Sequence, residues 1–134
     1  MSLIVTNEGA NQIVGIALNN VANENLLLKL YTDAATLSRS DSAVARTEVS
    51  GNGYAAITLT KGSWTLTPGV GNNPDTAAYA QQTFNFSGGP VTVNGYYVVG
   101  ATSGKVYWEE AFSSPAAIPA GGGSIKVTPQ FQLL

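Results

Sequence analysis

From Ile125 to the end of the chain, Ile125, Val127, Pro129, Phe131 and Leu133 alternate with Lys126, Thr128, Gln130 and Gln132. A two-residue period belongs to a strand with one buried face, because apolar positions on a helix recur every three or four residues. The runs Val91 to Val99 and Lys105 to Phe112 come before it, both rich in β-branched and aromatic residues. They flank the turn-forming Ala101-Thr102-Ser103-Gly104, so a hairpin is expected there.

Punctuation in the first half supports the same class. Leu26 to Tyr31 reads as a strand. Ser50-Gly51-Asn52-Gly53 reads as a tight turn between arms at Arg46 to Val49 and Tyr54 to Thr60, because Asn-Gly tolerates the positive φ such turns demand. Lys61-Gly62 turns the chain into Ser63 to Thr67, and Pro68 to Asp75 is a flexible connection. Thr76 to Phe86 is expected as one strand, with Ala78, Ala80, Phe84 and Phe86 on one face and Tyr79, Gln81, Thr83 and Asn85 on the other. The polar stretch Ala34 to Ala45 is a long loop and a candidate contact element. Leu3-Ile4-Val5 suits a short strand or arm. Asn7 is a candidate cap for a helix running to Asn19, although Gly9 and Gly15 weaken it. The expected fold is therefore all-β: a β-sandwich or jelly-roll-like antiparallel domain of roughly eight strands. Residues 1–25 would form an arm or short helix packed on a body at 26–134, the whole being a single domain.

Composition then excludes most chemistry. The 134 residues contain no cysteine and no histidine, which removes disulfides, thiolate nucleophiles and the commonest general base and metal ligand. Six Lys and Arg against eight Asp and Glu leave a net charge of -2 and no basic stripe for nucleic acid. No apolar run approaches the roughly 20 residues of a membrane span, and the first residues carry no export signal, so synthesis in a cytoplasm is expected.

The remaining motifs point to structure. Glu109 and Glu110 are adjacent carboxylates, but neighbours on a strand face opposite ways and cannot flank one substrate bond. Asp33, Asp41 and Asp75 lie in expected loops, where Asp usually binds its own backbone. Gly69-Val70-Gly71 and Gly121-Gly122-Gly123 lack the strand-to-helix setting of a phosphate cradle, and Asn85-Phe86-Ser87 is a sequon inside an expected strand. Serine has no histidine to take its proton, and no Ser-x-x-Lys occurs. Trp64 and Trp108 could stack on a sugar, but filling a core or a subunit contact is the stronger expectation for such large apolar rings. No catalytic residue, cofactor or metal site is expected.

The segments Gly95 to Phe112, Ile118 to Gly122 and Ile125 to Phe131, together with Leu28-Lys29-Leu30-Tyr31 and Tyr79 to Phe84, resemble small structural proteins of tailed bacteriophages. Among these are the head decoration or cement proteins of cyanophage-type virions. That resemblance implies a protein on the capsid exterior, a homotrimer, that binds the major capsid protein across joints between subunits and stiffens the shell. In such a setting Leu3, Ile4 and Val5 are expected to add a strand to a capsid edge, and Tyr79, Phe84 and Phe86 to lie at a trimer contact. A carbohydrate- or receptor-binding module of a virion fibre is the alternative.

Overall fold

The computed structural model describes residues 3–133. Within them the chain runs β1 (Leu3–Val5), α1 (Asn7–Ala17), β2 (Leu26–Tyr31), β3 (Ile57–Leu59), β4 (Thr65–Thr67), β5 (Asp75–Ala78), β6 (Gln82–Phe86), β7 (Val91–Gly100), β8 (Val106–Ile118), β9 (Gly123–Val127) and β10 (Gln130–Leu133). Every strand pairing is antiparallel, which is the all-β sandwich-like architecture expected from the alternation.

The largest sheet is built around the β7–β8 hairpin and has the order β1-β8-β7-β2-β3. β10-β5-β4 and β6-β9 form two smaller sheets. The hairpin register breaks twice. Between Val93 and Gly95 two steps along β7 correspond to five along β8, from Ala116 to Ala111. The surplus segment holds Pro115, which has no N–H for a ladder and so belongs in such an irregularity.

Alternation along the strands sorts side chains into two cores. Leu28, Leu30, Val93, Tyr96, Val98 and Trp108 face inward and meet Phe84, Phe86, Ile125 and Val127 from the β6-β9 pair. Tyr31, Tyr97, Val99 and Val106 face outward but stay buried, because Leu37 and Ala43 of the loop after β2 pack over them. The polar loop expected at Ala34 to Ala45 is thus a cover for the outer face of the main sheet.

Four expectations change in detail. The arms expected at Arg46 to Val49 and Tyr54 to Thr60 do not pair with each other: β3 pairs with β2, and Glu48 makes an isolated bridge to Tyr31. The alternating run from Ile125 is two strands, β9 paired with β6 and β10 paired with β5, parted at Thr128 and Pro129. The expected single strand at 76–86 is two: β5 pairs with β4 and β10, whereas β6 pairs with β9. Residues 79–81 carry the chain from one sheet to the other, so Tyr79 does not share a strand with Phe84 and Phe86. The helix is real, but its cap is Thr6, whose Oγ1 accepts from Gly9 N–H at 3.0 Å. The Thr6 hydroxyl also donates to the Val106 carbonyl, and Glu8 accepts from Val106 N–H at 2.6 Å. Gly9 lies directly on the Tyr107 backbone, where a methyl group would strike the carbonyl oxygen. The first turn of α1 is therefore clamped to the start of β8, with Ile13 and Ile16 packed against the main core.

Candidate functional site

Beneath the covering loop lies a buried charge centre. Arg46 Nη1 contacts Asp33 at 2.8 Å, Nη2 contacts Asp41 at 3.1 Å, and Nε lies 3.5 Å from Glu109. The guanidinium also sits over the Tyr31 ring, 5.4 Å from its centroid. Glu109 is 0% exposed, and neither of its oxygens has a hydrogen-bond partner among the described residues. Burial pushes its carboxyl up to about 8, with Asp41 beside it adding to the push and Arg46 opposing it. Burial also works against Asp41, but the neighbouring Glu109, the Ser38 N–H and Arg46 together hold it below its ordinary value. The centre thus biases Glu109 toward its neutral form and Asp41 toward its ionised one. Its geometry ties the loop to the sheet: Asp33 also accepts from Thr47 N–H at 2.6 Å and Asp41 from Ser38 N–H at 2.8 Å.

The two adjacent glutamates do diverge as strand geometry requires. Glu109 meets Arg46, whereas Glu110 accepts from the Tyr96 hydroxyl on the other side of the sheet. A third carboxylate, Glu24, holds the β7–β8 turn by accepting from Thr102 N–H (2.7 Å), Ser103 N–H (2.9 Å), the Ser103 hydroxyl (2.7 Å) and the Tyr107 hydroxyl (2.8 Å). Burial opposes its ionisation, but those donors outweigh it and hold its pKa below the ordinary value. Asp75, expected in a loop, opens β5 instead, and its side chain accepts from Gly69 N–H at 2.8 Å. Among the described residues, no group of three His, Cys, Asp or Glu is placed to hold a metal.

The aromatic candidates are mostly interior. Phe84 and Phe86 are 2% and 5% exposed and stack on Tyr54, with ring centroids 5.7 and 6.3 Å apart. Their rings belong to the protomer's own core, which leaves them little surface to offer the trimer contact expected at or near them. Tyr79 is half-buried; its hydroxyl accepts from Thr60 N–H at 3.1 Å and its ring meets Trp64 edge-on. Trp64 and Trp108 are 5.8 Å apart with planes at 70°, and Trp108 is buried. A sugar-stacking platform needs open, near-coplanar faces, and this pair offers none.

Leu3, Ile4 and Val5 form an edge strand of the main sheet, half-buried and registered against Glu110, Glu109 and Trp108. The expected arm is thus already paired on one side. Thr6 N–H points inward to Tyr107 at 3.4 Å, so alternation along the antiparallel pair turns the Leu3 and Val5 N–H groups outward. No strand lies beyond them among the described residues.

A second exposed feature is β4, whose three residues are too short a run for alternation to show that they lie open to solvent. The β10-β5-β4 sheet sets Phe131, Ala77 and Leu66 in one row, beside a groove of about 350 Å³ that also involves Leu133 and Pro68. Leu66 is 76% exposed and Leu133 61%.

No protein-family model matches this sequence, and no curated protein matches it significantly. Among the described residues no helix is long and apolar enough to cross a membrane.

Proposed function

We propose that the chain is a structural adhesion protein that decorates the outside of a bacteriophage head, bound to the major capsid protein across joints between its subunits. The observation that carries this reading is β1, an uncharged edge strand whose outward N–H groups face no strand among the described residues. Such an edge captures an extended segment of a partner by backbone hydrogen bonding, which gives adhesion without a pocket. The strand is held rigidly for the purpose: Leu3 and Val5 pack on the main core, and the Thr6 and Glu8 bonds to β8 fix the chain that follows. The resemblance to phage decoration proteins supplies the nature of the partner. Perpendicular indoles disfavour the fibre-tip sugar-binding alternative.

Co-sedimentation with assembled phage heads tests the reading. Val5→Pro removes an outward N–H that has no strand partner among the described residues, so the variant should fold and yet lose most of its occupancy on heads. Wild-type protein that fails to sediment with heads, or a folded Val5→Pro variant that binds as well as wild type, would overturn it.

A further inference from the structure

Edge strands in monomeric proteins are usually guarded by lysine, proline or an inward charge. The stretch Gly62 to Asn73, which contains β4, has no charged residue at all. The one carboxylate nearby, on Asp75, is turned onto Gly69 N–H.

Backbone geometry decides what this edge can accept. Tyr79 N–H donates to Pro129 at 3.0 Å, so along β5 the residues in phase with Tyr79 bond toward β10 and those between bond toward β4. Ala78 and Thr76 therefore face Thr65 and Thr67, and the N–H and C=O of Leu66 point away from the sheet. An extended backbone presents the matching C=O and N–H to such a pair of groups.

Thr65-Leu66-Thr67 reads the same in both directions. Two copies related by a two-fold axis and paired antiparallel about Leu66 would set Leu66 against Leu66, exchanging both outward hydrogen bonds. Thr65 would then oppose Thr67 of the other copy, a pairing that strands favour. The apolar row would run unbroken across the joint, from Phe131 through Ala77 and Leu66 into the same residues of the partner. Pro68, lacking an N–H, limits the ladder to its centre.

We infer that a second copy of this chain docks on β4, edge to edge about Leu66, making a two-fold dimer through a continuous six-stranded sheet. The contact is short, so the dimer is weak, with a dissociation constant on the order of 100 µM. Its surface is separate from β1, so the dimer and the binding to heads stand or fall independently.

Sedimentation velocity from about 10 to about 500 µM tests it, that range bracketing the expected constant. Wild type should pass from monomer to dimer, and Leu66→Asp, a change at an exposed position, should remain monomeric with an unchanged circular dichroism spectrum. Hydrogen exchange on the wild type adds a readout that needs no variant: the Leu66 amide should exchange more slowly at the high concentration. A wild type that stays monomeric throughout, a Leu66→Asp variant that associates equally well, or a trimer in which the Leu66 amide remains unprotected would each overturn the inference.

Discussion

Replacing Glu109 by Gln should stabilise the protein at pH 8 and remove most of the pH dependence of its stability between about pH 5 and pH 8. The side chain is fully buried, with one guanidinium shared among three carboxylates, so its neutral form is the one that fits. Its pKa rises from 4.5 to about 8 on folding, so the folded state holds a proton that the unfolded chain releases. That stability is complete below pH 4.5 and is lost as the pH rises toward 8. Full burial in a rigid site would set a ceiling of about 5 kcal/mol. Relaxation of the covering loop and entry of water reduce the expected difference to about 1–3 kcal/mol. Asp41 and Glu24 have lowered pKa values, and the stability they contribute is lost only as the pH falls through the acid range. Wild-type stability should therefore peak near pH 5. Urea unfolding followed by the fluorescence of Trp108 and Trp64, at several pH values and with m unchanged, measures this directly. Parallel pH profiles for wild type and Glu109→Gln would refute the reasoning, because the proton would then reside elsewhere.

Gly9→Ala should destabilise by about 2 kcal/mol in thermal unfolding despite alanine's better helix propensity, because the new methyl strikes the Tyr107 carbonyl and lifts α1 from β8. Phe84→Ala should cost about 3–5 kcal/mol and leave the sedimentation behaviour of the folded protein unchanged, since the ring lies inside the protomer.

How much of this was legible in the sequence follows from the range of the interactions. The β7–β8 hairpin is readable from local pattern, with two β-branched and aromatic runs about one turn. Alternation likewise places Phe84 and Phe86 on one face. It does not say whether that face meets the chain's own core or another subunit, and main-sheet residues that cover it, such as Leu28 and Leu30, lie far away along the chain. The break at residues 79–81 is hidden for a related reason: nothing local separates β5 from β6, which part because their neighbours belong to different sheets. The charge centre is the least readable feature. Arg46 joins Asp33, Asp41 and Glu109 only after the loop folds over the sheet. Its one local signal is a lone arginine among the apolar residues of Val44-Ala45-Arg46. The Thr6 cap was within reach, since a threonine directly before Asn7-Glu8 is a common helix start.

An averaged image of phage heads purified after mixing with this protein tests the proposed adhesive role most directly. If β1 is the adhesive edge, the sandwich will sit over joints between capsid subunits, with Leu3 to Val5 against the shell and a strand of capsid density beside them. Particles that lack the protein, or that hold it with β1 turned to solvent, would contradict that role.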